Sequence, residues 1–153
     1  TNFNIGGTVS TQSPSDDIND TSNLKQNFIV NWNDTVKEID YSNAYGAEAN
    51  VAIDKNTKTV TIGIENIAKL NSSITVKLQI DNDSIDLIAD IDIPEIINSQ
   101  SKYFDIYIDW IDSVSINPKG YIEIYVTIVM IKSPLEQIAG DFTITFTAEA
   151  REV

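Results

Sequence analysis

The sequence predicts an all-β protein, an antiparallel β-sandwich with a detached N-terminal strand. Ile greatly outnumbers Leu among the apolar residues, and β-branched side chains suit a pleated, half-buried sheet. Apolar and polar residues alternate in one segment after another, and turn-forming residues separate these segments at regular spacing. No segment has the period of a convincing amphipathic helix. These observations together predict a sandwich of nine or ten strands.

The first nine residues, TNFNIGGTV, alternate between apolar and polar side chains, with a glycine at one apolar position. This period of two predicts a half-buried strand over residues 1–9. Residues 10–23, STQSPSDDINDTSN, contain one large apolar residue, Ile18. Such a segment buries too little apolar surface to offset the entropy of ordering it, so it is predicted to be a flexible polar linker. The apolar face of the N-terminal strand consists of Phe3, Ile5, Gly7 and Val9.

A strand on a flexible linker can pair with a sheet of its own domain or with a sheet of a neighbouring molecule. The second arrangement would make the chain a filament subunit. The alternative is an ordinary first strand followed by a long loop, and the residues leave both open, although loops of this length are uncommon in compact domains. The predicted organisation is a donor strand at 1–9, a linker at 10–23 and a sandwich domain at 24–153.

The strands of the sandwich domain follow one another along the chain. Residues 55–57 form the polar tip of a hairpin, and the NPKG sequence at 117–120 is a strong turn signal. Pro94 is expected to end a strand, and residues 95–101 to hold one short helical turn. The predicted strands are 27–32, 36–41, 47–54, 58–65, 73–80, 85–93, 103–111, 121–131 and 141–149.

Composition excludes several classes of function. The chain has no histidine, which removes the commonest general base, the commonest metal ligand and every Ser-His or Cys-His pair. It also has no cysteine, so no disulfide is possible. We therefore expect no enzyme activity and no metal or other cofactor. The formal net charge of −13 argues against nucleic acid and anionic membranes as partners.

The chain begins with Thr1 and contains neither a signal peptide nor a long apolar run. The expectation is a mature exported chain without a membrane span, although a trimmed chain would look the same. Four Asn-X-Ser/Thr sequons lie in predicted loops or turns, where a covalent N-glycan needs to be. Composition alone would give about two or three sequons by chance. The candidate glycosylation sites are Asn19, Asn33, Asn71 and Asn82.

Two acidic clusters are weaker candidate sites. Asp81, Asp83 and Asp86 have a spacing that could ligate Ca²⁺, but the central glycine and distal glutamate of an EF-hand loop are missing. A solvated turn is the preferred interpretation. A second cluster lies on and after the strand at 103–111, where paired carboxylates could in principle hydrolyse a glycosidic bond. These carboxylates fall on the polar face of a strand, where charge normally solvates a sheet. The second cluster consists of Asp105, Asp109 and Asp112.

Taken together, these features resemble subunits of the archaeal thread filaments of Sulfolobus-type cells. The resemblance rests on the N-terminal strand, the polar linker, the Ile/Thr-rich sandwich, the sequons and the closing segment GDFTITFTA at residues 140–148. The chain is more distantly similar to archaeal bundling pili and to bacterial TasA/camelysin fibres, although TasA-type chains are longer. The resemblance implies an incomplete Ig-like or pilin-like sandwich that is completed by the N-terminal strand of the next subunit.

The resemblance implies that the protein would be a structural subunit of an extracellular, glycan-coated filament, a homopolymer assembled head to tail and serving adhesion or biofilm formation. The donor face would be Phe3, Ile5, Gly7 and Val9. A physical argument stands beside the resemblance, because donor and acceptor surfaces on different parts of one chain make a heterologous contact that repeats into an open fibre. The alternative is a self-contained secreted or cell-surface binding domain, such as an adhesin or surface-layer module.

Overall fold

The computed structural model describes residues 33, 35–83 and 85–152, which form two antiparallel sheets. The predicted donor strand 1–9, the linker 10–23 and the predicted strand 27–32 lie outside the described residues. In chain order the strands are β1 (Glu38–Ser42), β2 (Glu48–Asp54), β3 (Thr59–Ile67), β4 (Ser73–Asp81), β5 (Leu87–Asn98), β6 (Phe104–Asp109), β7 (Ser113–Ile116), β8 (Tyr121–Met130) and β9 (Ile138–Glu152).

The strands are divided between a four-stranded sheet A, in the order β1-β4-β8-β6, and a five-stranded sheet B, in the order β2-β3-β9-β5-β7. Every pairing is antiparallel. The prediction of an all-β antiparallel sandwich is therefore confirmed. The strand predicted at 121–131 is β8, which lies in the interior of sheet A between β4 and β6.

The core lies between the sheets and follows from the alternation along each strand. In β4 every second residue is buried, beginning at Ile74, while the residues between them are half-buried on the outer face. The predicted hairpin is formed by β2 and β3, with Val51 opposite Ile62 and Ile53 opposite Val60. The largest fully buried side chains are Phe104, Phe142, Phe146, Ile62, Ile64, Ile74, Leu78, Ile80, Leu87, Ile124 and Ile128.

Two expectations about the region after residue 93 are wrong. Pro94 does not end the strand, because β5 runs on to Asn98 and the register with β9 shifts between Asp92 and Glu95. Proline has no N–H to donate, and a bulge on an open strand edge is one of the few places where a sheet accepts it. The helical turn expected over 95–101 is also absent from these described residues. The strand continues there, and a turn at 99–103 follows it.

A short strand that the sequence pattern does not predict closes one edge of sheet B. β7 has four residues, SVSI, and pairs with the first residues of β5, from Leu87 to Asp90. Arg151 of β9 bonds through its Nε to Asp90 Oδ2 at 2.8 Å, and Ser113 of β7 bonds to Asp90 Oδ1 at 3.0 Å. The Arg151 hydrogen bond lowers the pKa of Asp90. The bonds from Arg151 and Ser113 to Asp90 link β9 and β7 to β5 on the outer face of sheet B.

Candidate functional site

The chain changes sheets between β6 and β7, and this leaves one flank of the sandwich open. β6 is the outer strand of sheet A and β7 is the outer strand of sheet B. β6 pairs with β8 only from Tyr125 to Met130, and β7 pairs with β5 only from Leu87 to Asp90. Within the described chain, residues 92–98 of β5 and 121–124 of β8 consequently have no strand beside them on this flank.

We call the space between residues 92–98 of β5 and the outer edge of β6 the seam. A side-chain hydrogen bond joins the two strands at each end of it. Asn98 Nδ2 donates to Phe104 O at 2.9 Å, and Trp110 Nε1 donates to Ile91 O at 3.3 Å. These bonds hold two sheet edges next to each other, although β5 and β6 belong to different sheets and do not pair.

The side chains that line the seam face the core but are incompletely covered. Ile106 and Ile108 of β6 are paired with buried Ile128 and Val126, so they point between the sheets. Ile96 of β5 is paired with fully buried Ile144 and points the same way, yet Ile96 is 46% exposed. A core-facing isoleucine with this exposure means that the sandwich is open along the seam. The lining residues are Ile93, Ile96, Ile106, Ile108 and Trp110.

Backbone groups also point into the seam. In antiparallel pairing, successive residues direct their N–H and C=O groups to opposite sides of the strand. Ile131 N–H bonds to Tyr103 O, so the backbone N–H and C=O groups of the odd-numbered residues of β6 point toward β8. Ile106 and Ile108 therefore direct their backbone groups to the open side, where an added strand could bond to them.

The rim of the seam is acidic. The outer-face residues of β5 and β6 beside the seam include several carboxylates. Tyr107 Oη donates a hydrogen bond to Asp105 Oδ2 at 3.2 Å, and this bond raises the pKa of Tyr107. Charges on an open edge discourage unspecific strand pairing. A segment without charged side chains avoids this repulsion, and residues 1–9 carry none. The rim carboxylates are Asp92, Glu95, Asp105 and Asp109.

A second opening lies beside residues 121–124 of β8. It is a cleft of about 370 Å³ whose walls include Trp110, Ile111 and Tyr121. Its Glu123 is bonded to Lys77 Nζ at 2.7 Å and accepts from Tyr125 Oη at 3.0 Å. The Lys77 hydrogen bond lowers the pKa of Glu123, the opposite of what a general acid needs.

The three described sequon asparagines lie in different environments. Asn71 is exposed in the turn between β3 and β4, and Asn33 is half-buried with its Nδ2 bonded to Asp81 Oδ2 at 3.0 Å. Asn82 is fully buried, and its Nδ2 lies 3.0 to 3.1 Å from three backbone carbonyl oxygens. An N-glycan is attached through this nitrogen, so the fold leaves no room for one at Asn82. Asn19 lies outside the described residues.

We predict that a glycosylating cell modifies the sequon at Asn71 and leaves that at Asn82 bare. Ser73→Ala and Ser84→Ala each remove one sequon without changing its asparagine. Intact-mass measurement of the exported chains should show the loss of one glycan for Ser73→Ala only. A mass loss for Ser84→Ala would show that Asn82 is modified before it becomes buried, and an unchanged mass for Ser73→Ala would leave the Asn71 sequon as a chance match.

The acidic clusters gain no support as ligand sites. Asp81 accepts hydrogen bonds from Asn33 and Gln79, so its carboxylate is already engaged. Across residues 33, 35–83 and 85–152, no group of three or more His, Cys, Asp or Glu side chains is arranged to hold a metal ion. The same residues include no helix of the length and apolarity that crossing a bilayer requires.

Comparisons with protein-family models, with curated proteins and with solved structures found no match to this chain. The features of the chain that bear on its function are the geometry of the seam and the sequence that precedes the described domain.

Proposed function

We propose that the protein is a structural subunit of an extracellular filament in which the N-terminal strand of one copy completes the seam of the next. The observation that carries this proposal is the exposure of Ile96, a residue that faces the core but is 46% exposed at an open sheet edge. An open edge beside exposed apolar side chains is an aggregation hazard unless a strand covers it. A cell-surface location, N-glycans, and a role in adhesion or biofilm formation belong to the same proposal.

The donor strand and the seam agree in length and chemistry. Residues 92–98 of β5 and residues 3–9 of the donor strand each comprise seven residues, and the six steps along either segment span about 20 Å. Donor residues that pair directly with Ile106 or Ile108 direct their side chains to the same face as these isoleucines, into the apolar interior. Phe3, Ile5 and Val9 would fill the seam, and Gly7 would pass a narrow point. The 121–124 edge has only four residues and is the poorer match.

The direction of the chain favours donation to a neighbour. The described chain begins beside the end of β4, where Asn33 N–H bonds to Gln79 O. The end of the seam formed by Asn98 and Phe104 lies at the opposite end of the sandwich, where β4 begins. A strand that completes its own seam would have to double back along the domain. Donation to a neighbour lets the chain continue in one direction from subunit to subunit.

Two adjacent isoleucines provide a matched test of the acceptor. Ile96 and Ile97 are 46% and 50% exposed, but Ile96 faces the seam while Ile97, paired with Thr143, faces outward. Ile96→Asp should reduce fibre yield strongly, because it places a charge against the donor strand, and Ile97→Asp should leave it close to wild type. Electron microscopy and sedimentation would measure the yield. Equal yields from both variants would contradict the proposal.

A self-contained binding domain is the second candidate, and the cleft beside residues 121–124 favours it. The lining of the cleft includes the aromatic residues Trp110, Tyr121 and Tyr125 and the acidic residues Asp109 and Glu123. A stable monomer in size-exclusion chromatography, with no fibres at any concentration, would favour this function over a filament.

A further inference from the structure

The two ends of the sandwich carry different charges. We call one end the basic pole, formed by the loops at 43–47, 68–72, 99–103 and 131–137 with the adjoining strand ends. It holds three lysines, Lys69, Lys102 and Lys132, and three carboxylates, Glu48, its cross-strand partner Glu65, and Glu136. The opposite end, the acidic pole, consists of the loops at 55–58, 82–86, 110–112 and 117–120 with their strand ends. It holds Lys55, Lys58 and Lys119 against Asp54, Asp81, Asp83, Asp86, Asp109 and Asp112.

The lysines of the basic pole are exposed and available to a partner. Lys69 Nζ lies 3.4 Å from Asn43 Oδ1 and 5.7 Å from the centre of the Tyr45 ring. Lys102 lies 5.5 Å from the centre of the Tyr103 ring. Among the described residues, the ion pairs are Lys77 with Glu123 and Arg151 with Asp90, so no carboxylate of the described domain neutralises these three lysines.

Large apolar side chains stand among these lysines. Leu135 is fully exposed at 107% and Tyr45 is 86% exposed. Backbone bonds tie the loops into one surface, since Asn71 N–H bonds to Met130 O and Ile131 N–H bonds to Tyr103 O. Exposed apolar side chains that are grouped together and rimmed by polar residues are typical of a protein–protein contact surface. The other exposed apolar residues of this pole are Leu70 and Ile131.

The same chain contains a complementary acidic surface. Asn33 is bonded to Asp81 at the acidic pole, so the segment before residue 33 starts from there. The predicted linker 10–23 contains Asp16, Asp17 and Asp20 and no basic residue. In a head-to-tail fibre, this linker would leave the acidic pole of one subunit and cross the basic pole of the next before the donor strand reaches the seam.

We infer that the basic pole is the docking surface for the acidic linker and acidic pole of a second copy of this chain. This inference rests on the proposed function, and it adds a second contact to the donor strand. The contact sets the polarity of assembly, because two acidic poles repel each other, whereas the lysines of the basic pole attract the acidic pole and the acidic linker of another copy. A donor strand that enters from the basic pole also runs antiparallel to β6, the direction that matches every other pairing in the sandwich.

The test compares two triple variants of the full chain that change the net charge equally. Lys69→Glu, Lys102→Glu and Lys132→Glu alter the basic pole, and Lys55→Glu, Lys58→Glu and Lys119→Glu alter the acidic pole. At low salt the basic-pole variant should assemble about tenfold more slowly, and the acidic-pole variant should stay within about twofold of wild type. Adding Asp16→Lys, Asp17→Lys and Asp20→Lys to the basic-pole variant should restore much of the rate. Equal slowing of both triples would indicate general repulsion and overturn the inference.

Ile5→Asp, measured in the same assay, separates this inference from the proposed function. If Ile5→Asp assembles like wild type, the donor-strand proposal fails. If Ile5→Asp blocks assembly and the basic-pole variant assembles normally, only the docking surface is refuted. A third outcome would also overturn the inference. If the wild-type chain binds vesicles of anionic phospholipid, and the basic-pole variant loses this binding but still forms fibres normally, the pole is a membrane-binding surface.

Discussion

Ile5→Asp is expected to abolish filament assembly, whereas Asn4→Asp is expected to assemble like wild type. Position 5 belongs to the predicted apolar face of the donor strand, and position 4 belongs to its polar face. A carboxylate placed in the seam without a partner costs at least about 3 kcal/mol, or has to stay protonated. The same carboxylate one residue earlier points away from the seam, because side chains alternate along a strand.

The two variants carry the same added charge, so general repulsion cannot explain a difference between them. Fibre yield as a function of protein concentration gives the main result, and the melting temperature of the unassembled chain gives the control. If the N-terminal strand fills the seam of its own domain, Ile5→Asp should lower the melting temperature independently of concentration. If both variants assemble like wild type, the segment is only a linker and the donor-strand account is wrong.

Most of the sandwich could be predicted from alternation alone. In the segment at 141–149, Phe142, Ile144 and Phe146 are apolar at every second position, and all three are buried in β9. The segment at 103–111 alternates in the same way, and in β6 Phe104 is fully buried and Ile106 faces the core. Period-two patterns specify the face of a strand well, because a shift by one residue would expose the whole apolar set.

The pattern fails where a strand is short or irregular. β7 has only two apolar residues, Val114 and Ile116, and its existence depends on pairing with a strand more than twenty residues earlier in the chain. The continuation of β5 through Pro94 depends on a bulge that breaks the alternation. Local sequence contains neither piece of information.

The acceptor could not be located from the sequence, because it arises from the topology. Ile96 and Ile97 are adjacent isoleucines after a proline, and nothing local indicates that one faces a seam and the other faces outward. That assignment requires the register with β9 and the change of sheet between β6 and β7. The burial of the Asn82 sequon could not be predicted locally either. Backbone hydrogen bonds join Asn82 to the turn between β7 and β8, and Asn82 is buried as a result.

Cysteine cross-linking can locate the donor strand within the assembled fibre, because the natural chain contains no cysteine of its own. Ile5→Cys is combined in turn with Ile106→Cys, Ile108→Cys or, as the control, Tyr107→Cys, whose side chain points to the outer face of sheet A. A disulfide forms only when the two Cα atoms approach within about 7 Å with suitably directed side chains. Assembled material is then oxidised and run on a denaturing gel without reductant.

If the donor strand occupies the seam of the next subunit, oxidation gives a ladder of covalently linked subunits for at least one of Ile106→Cys and Ile108→Cys. It gives no ladder for Tyr107→Cys, and reduction returns the ladder to monomer. Equal ladders from all three pairs, or no cross-link in fibres that form normally, would contradict the placement of the donor strand in the seam. A cross-linked species that stays at monomer size would show that the strand closes its own domain, which would contradict assembly by strand donation.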